Sequence, residues 1–163
     1  TDDKELCLVC FFADCVPLYF VDPKHGAIGL AHSGWRGTVA GMGRRMAERM
    51  EQEFGTRVQD LVAAVGPSIC QHCYEVSEEV AHVFRQEFSK ESEDFLEKGK
   101  EQGKYQLDLW EANRRVLLDA GILPQNLAVT DLCTCCNSRY LFSHRASQGK
   151  RGNLGAFLEL INS

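Results

Sequence analysis

Apolar and polar positions along this chain switch between a strand period and a helix period, and the switches lay out its elements. Residues 6–12 are an apolar run rich in Cys and Phe, which predicts a buried strand ending at Ala13-Asp14-Cys15. Residues 16–21 continue extended after Cys15-Val16-Pro17. Asp22-Pro23-Lys24-His25-Gly26 predicts a turn, because Pro presets one dihedral and Gly accepts the left-handed one. Residues 26–31 then return as a short strand, making a hairpin. The period next becomes helical. Val39, Met42, Met46, Met50 and Phe54 share one face, Arg44, Arg45, Glu48, Arg49 and Glu51 fill the other, and Gly55 suits a C-cap, so a helix is predicted over 38–54. The Met stripe reads as core, since Met fills irregular gaps between helix and sheet.

Residues 60–65 predict a short buried strand ended by Gly66-Pro67. Ser77-Glu78-Glu79 opens a helix with an acidic first turn, burying Val80, Val83, Phe84 and Phe88 and leaving His82 outside. Residues 89–103 are charged and predict a solvated loop or frayed helix. Asp108 caps a helix over 109–120 that Gly121 and Pro124 stop. Residues 127–133 predict a strand, 134–140 a loop dense in Cys, Asn and Arg, and 154–161 a terminal strand. Interleaved strands and helices with an early hairpin predict a mixed-sheet α/β or α+β fold with helices packed outside. No repeat or linker divides residues 1–163, so one domain is expected.

The chain is long enough for one proper core, and 44% hydrophobic with 25% charged residues is the balance of a globular protein. A net charge of -5 argues against a nucleic-acid surface, which would show a basic stripe. No run of about eighteen apolar residues is present, so no membrane helix is expected. Eight cysteines sit at 7, 10, 15, 70, 73, 133, 135 and 136. Several lie in apolar runs of an enzyme-like core, which favours reduced thiols in a cytoplasmic protein over a disulfide framework. A zinc ribbon from Cys70-x-x-Cys73 with Cys133-x-Cys135 is disfavoured, because ribbons use two Cys-x-x-Cys knuckles and the second pair has the wrong spacing.

The hairpin makes Cys15 and His32 candidate neighbours. A thiolate and an imidazole both suit zinc, a thiol beside an imidazole can act as a nucleophile, and a buried Cys beside a core His can do neither. Ser33-Gly34-Trp35-Arg36-Gly37 runs from a glycine-bracketed turn into a helix, where free N–H groups and Arg36 favour an anion. Gly66-Pro67-Ser68-Ile69 is either a plain connecting turn or a phosphate-holding one. Arg145, Lys150 and Arg151 form either a solvated basic patch or an anion clamp. Trp110 reads as packing. No His-x-His motif of a multicopper oxidase occurs.

Phe12-Ala13-Asp14-Cys15-Val16-Pro17 with Ala31-His32-Ser33-Gly34-Trp35-Arg36-Gly37 closely resembles the YfiH-like family. The likeness continues at Val65-Gly66-Pro67-Ser68-Ile69, at Cys73-Tyr74-Glu75-Val76, and at Leu141-Phe142-Ser143-His144-Arg145 with Gly149-Lys150-Arg151-Gly152. The family was first described as laccase-domain or polyphenol oxidase proteins and is now described as zinc-dependent purine nucleoside phosphorylases. The resemblance implies a layered α-β-β-α arrangement like the cysteine-hydrolase fold of a bacterial toxin domain. It implies phosphorolysis of adenosine, inosine, guanosine and methylthioadenosine to a free base and a sugar 1-phosphate, and deamination of adenosine. The expected partners are a purine nucleoside and phosphate, with neither nucleic acid nor membrane. The expected cofactor is zinc, with copper as the other candidate.

By the same resemblance, Cys15 and His32 hold the metal. Asp14 and Arg36 join them as catalytic residues, Asp14 orienting His32 or acting as a base. Arg36, Gly66, Ser68, Arg145 and Arg151 bind substrate or phosphate. The family's first metal His lies in a Gln-Val-His-Gly stretch upstream of the Ala-Asp-Cys motif. The chain starts at Thr1, so the expectation is that it is the C-terminal two-thirds of a longer domain. His144, His72 and Cys133 are the substitutes for that ligand within the chain. The competing readings are a metal-free thiol hydrolase, a copper-dependent polyphenol oxidase and a non-enzymatic partner domain.

Overall fold

The structure, a computed structural model, describes residues 1–161. Among them the strands are β1 (Cys7–Phe12), β2 (Val16–Asp22), β3 (Ala27–Ser33), β4 (Val62–Val65), β5 (Glu75–Ser77), β6 (Leu96–Lys98), β7 (Lys104–Leu107), β8 (Leu127–Val129) and β9 (Leu154–Glu159). The helices are α1 (Trp35–Val39), α2 (Met42–Phe54), α3 (Glu78–Phe88) and α4 (Leu109–Asp119). The strands form three sheets: β1-β9, the mixed β3-β2-β4-β8, and β5-β7-β6. The expected mixed α/β class is what the chain adopts. No helix among the described residues is long and apolar enough to cross a membrane.

The central sheet carries the core. Val16, Leu18 and Phe20 of β2 are fully buried beside Ala27 and Ala31 of β3 and Ala63 and Val65 of β4. The Met42, Met46, Met50 and Phe54 stripe of α2 packs against this cluster as its spacing predicts. Helix α2 also lies close to α4: a Cβ at Gly43 would stand 2.7 Å from Leu117 Cδ2, so any larger residue there would require the Leu117 side chain to shift. Asp108 caps α4 by accepting from the Trp110 and Glu111 N–H groups.

Three expectations need correction. The strand at residues 6–12 is not buried. β1 pairs with β9 alone, and Val9 and Phe11 are exposed, because a two-stranded sheet has one face that nothing covers. The single helix over 38–54 is broken. Gly41 takes a left-handed φ of 67°, which ends α1 and starts α2 on a new axis. The charged segment 89–103 is not a plain loop: it includes a 3-10 turn and β6, which pairs antiparallel with β7. Phe95 is the reason. It is buried against Phe84 and Phe88, and that contact anchors an otherwise solvated stretch.

Two features position the functional region. The β2–β3 hairpin pairs Val16 with Ser33 and Pro17 with His32. The turn after β3 is then tied to α4 by a buried network. The Ser33 hydroxyl donates to Asn113 Oδ1 (2.8 Å), and Asn113 Nδ2 donates to Thr38 Oγ1 (2.9 Å) and to the Leu109 carbonyl (2.8 Å). Every member is satisfied, so the network fixes the start of α1 rather than straining it.

Candidate functional site

The strand register places Cys15 and His32 on the same face. With Pro17 opposite His32, the position opposite Cys15 is Gly34, and His32 is the diagonal neighbour. The approach at Gly34 is direct: a Cβ there would stand 2.9 Å from Cys15 Sγ. Glycine is needed so that the thiol can lie flat over the turn. Diagonal neighbours on one face are ~7–8 Å apart at the backbone, within reach of a common ligand.

The His32 ring is oriented by β1. Its Nδ1 lies 3.1 Å from the Phe11 carbonyl oxygen. A carbonyl only accepts, so the neutral ring carries its proton on Nδ1 and presents the lone pair of Nε2 outward. That is the arrangement of a metal-ligating imidazole with a backbone partner behind it.

Asp14 does a different job from the one expected of it. It is buried with φ of 81°, a conformation that Asp tolerates better than most residues. Its Oδ1 accepts from the Thr134 hydroxyl (2.6 Å), its Oδ2 from the Arg145 N–H (2.7 Å), and its carbonyl from the Ile69 N–H (3.0 Å). Through its carboxylate and its carbonyl, Asp14 therefore ties three distant segments to the foot of Cys15, while the His32 ring takes its orientation from Phe11.

The basic residues gather nearby. Arg145 is exposed, donates through Nη2 to the Glu75 carbonyl (2.9 Å) and lies 5.4 Å over the Tyr74 ring. Arg151 donates through Nε to His144 Nδ1 (3.2 Å) and through Nη1 to the Gly152 carbonyl and Asn153 Oδ1. Arg36 stacks at 4.2 Å on Trp35. Because α1 is only five residues long, the expected helix-start anion site reduces to the Arg36 guanidinium itself. Burial, then the charge of Asp14, push the Cys15 thiol up, and Arg151 pulls back in part. Burial pushes the Tyr74 phenol up to about 12; charge on Cys15 and Asp14 adds to this while Arg145 and Arg36 oppose it. Cys15, Tyr74, Arg36, Arg145 and Arg151 thus share one field. Tyr74, which stays a neutral donor there, lies in a motif of the sequence that by itself suggests no role for it.

Gly66 and Ser68 do not join them. The Gly66 N–H donates to the Pro17 carbonyl (2.9 Å), and the Ile69 N–H is spent on Asp14. Ser68 is fully buried, its hydroxyl donating to the Gly66 carbonyl (3.0 Å) and accepting from Trp110 Nε1 (2.7 Å). The expected phosphate turn at Gly66 and Ser68 is a packed joint whose donors face inward.

A second sulfur group lies behind this joint. Cys70, Cys73, Cys133 and Cys136 bring one sulfur each to within 4.8 Å of one another. The second knuckle is Cys133-x-x-Cys136, so the spacing objection to a paired arrangement was mistaken. Cys135 is not part of the group.

These features bear comparison with known proteins. The profile of the multi-copper polyphenol oxidoreductase laccase family matches residues 1–161. The chain belongs to this family. It is 39% identical over 158 residues to the purine nucleoside phosphorylase YlmD of Bacillus subtilis, covering 97% of this chain and 56% of that protein. It is 38% identical over 133 residues to the adenosine deaminase RL5 of an unknown prokaryotic organism, covering 82% and 50%. The crystal structure of the hypothetical protein YfiH of Bacillus licheniformis superposes with a TM-score of 0.93 at 36% identity, covering 98% of this chain and 60% of that one. The chain thus spans little more than half the length of the relatives it matches.

Proposed function

We propose that this family member contributes the greater part of the active site of a zinc-dependent purine nucleoside phosphorylase that also deaminates adenosine. The observation that carries the reading is the pairing of Cys15 with a His32 ring whose Nδ1 is engaged by the Phe11 carbonyl, leaving Nε2 free. Sulfur and imidazole nitrogen are donors that zinc takes, and a catalytic site needs about three of them with one position open. Cys15 and His32 supply two. When bound, zinc would act as a Lewis acid at the reacting centre.

The remaining chemistry falls to residues of the chain. Arg36, Arg145 and Arg151 supply the donors that phosphate oxygens require, and the contacts of Arg145 and Arg151 with carbonyl groups hold their forks in place before substrate arrives. Tyr74 keeps its proton and can donate to the nucleoside. The names of the relatives support purine nucleosides and phosphate as substrates. A metal-free thiol hydrolase is the weaker reading, because burial and Asp14 hold the Cys15 thiol protonated near neutral pH.

The test is product analysis on the full-length protein. Inosine should yield free hypoxanthine only when phosphate is present, and adenosine should yield inosine. Cys15→Ser and His32→Ala should each lower both turnovers by more than about 100-fold, with loss of the zinc held at this site. Phosphate-independent release of base, or full zinc and turnover in both variants, would reject the proposal.

A further inference from the structure

We infer that Cys70, Cys73, Cys133 and Cys136 form a second metal centre, a closed four-thiolate zinc site that fixes the back wall of the Cys15 region. The inference does not depend on the proposed activity.

The fold itself assembles the site. β4 and β8 run parallel, with Val65 beside Val129. Pairing continues past the strand ends: the Thr130 N–H donates to the Val65 carbonyl (3.0 Å), the Thr134 N–H donates to the Ser68 carbonyl (3.1 Å), and Ser68 bridges to Cys133. This extension delivers two Cys-x-x-Cys knuckles, one following each strand, to the same level. Each closes as a tight turn, with the Cys73 N–H on the Cys70 carbonyl (3.1 Å) and the Asn137 N–H on the Cys133 carbonyl (3.1 Å).

The distances suit the metal. Four sulfurs around a tetrahedral zinc at ~2.3 Å stand ~3.8 Å apart. Here all four lie within 4.8 Å, and Cys73 and Cys136 are 3.5 Å apart, far beyond the ~2.05 Å of a disulfide. The backbone is also set for thiolates. The N–H groups of Cys70 and Cys136 both point at Cys133 Sγ, at 3.3 and 3.4 Å. A neutral thiol is a weak acceptor and a thiolate a strong one, so two converging donors favour a charged sulfur. Soft sulfur donors in a tetrahedron select zinc or iron, and four protein ligands leave no open position, which marks the site as structural. Binding would release the remaining thiol protons to solvent.

The position gives the site a purpose. Thr134, inside the second knuckle, donates to Asp14. Tyr74 follows Cys73 directly and lies under Arg145. A metal here would hold both residues against the Cys15 hairpin, although neither would touch it.

The test uses full-length protein stripped by chelator under reducing conditions and refilled with zinc or cobalt chloride. We expect a His32→Ala protein, which removes the other site, to retain one equivalent of zinc per chain. Its cobalt form should show the thiolate charge-transfer band and visible spectrum of a four-sulfur tetrahedral centre. Peptide mapping after iodoacetamide should find Cys70, Cys73, Cys133 and Cys136 protected in the zinc form and labelled in the stripped form. A Cys73→Ser/Cys136→Ser protein should lose that equivalent. Should this variant fail to fold, the mapping and the cobalt spectrum of the His32→Ala protein decide alone. Iron in place of zinc, a Cys73–Cys136 disulfide, or four cysteines that label equally with and without zinc would overturn the inference.

Discussion

The two sulfur-bearing regions differ in how complete they are. Past the ends of β4 and β8, four cysteines from two knuckles converge with backbone donors already aimed at one of them. At the β2–β3 hairpin, one thiol and one imidazole share a face and stand among arginines. A saturated donor set has no place for a substrate, whereas an unsaturated one has. The contrast teaches that sulfur count alone is a poor guide to chemistry here. On the proposed reading, the reactive end holds the single cysteine and the cluster is scaffolding.

The largest effect should come from graded chelation. A moderate chelator applied to the full-length protein should abolish nucleoside turnover, by more than about 100-fold, before it disturbs the near-ultraviolet circular dichroism. Harsher removal should then lower Tm. Simultaneous loss of activity and tertiary signal would erase the distinction between the regions.

Asp14→Asn comes next, because Asp14 joins the two regions. Asn keeps the left-handed backbone and can still accept from one partner, but it leaves Thr134 or Arg145 without a charged acceptor. A loss of about 1–3 kcal/mol is expected, which for a chain of this size lowers Tm by about 2–10 °C. An unchanged melting curve would mean that the carboxylate is not the link described here.

The smallest effect is one of pH. Burial and Asp14 raise the Cys15 thiol above its ordinary value, so its thiolate is scarce at neutrality and accumulates only as pH rises through that raised value. In stripped protein, iodoacetamide labelling of Cys15 should keep accelerating beyond about pH 10, where an unperturbed thiol levels off. A plateau below pH 9 would mean that the site activates the thiol without metal.

Much of the fold was legible because local rules governed it. The Asp22-Pro23 turn, the Met stripe of α2 and the Asp108 cap each follow from spacing within a few residues. The break at Gly41 was not, because a glycine inside an apolar period looks the same whether or not it leaves the helix. Cys15 and His32 could be placed on one hairpin face from sequence because the turn joining the two strands is short. The meeting of Cys70 with Cys133 depends on parallel pairing across more than sixty residues, which no local pattern reports. One signal was present and misread: Cys136 stands three after Cys133, and the intervening Cys135 drew attention to the wrong partner. At Gly66 and Ser68 the motif alone does not report that the Gly66 N–H and the Ser68 hydroxyl are engaged within the fold.

The carbonyl behind His32 belongs to β1, and β1 is zipped to β9, whose residues lie about 150 positions further along. Contacts so remote in sequence form late, since closing the intervening loop costs entropy before any bond is made. A newly made chain that has folded its hairpin but not yet paired β1 with β9 would have the thiol seated and the imidazole still free to place its proton on either nitrogen. On the proposed reading, readiness to capture an ion is acquired only with that late pairing.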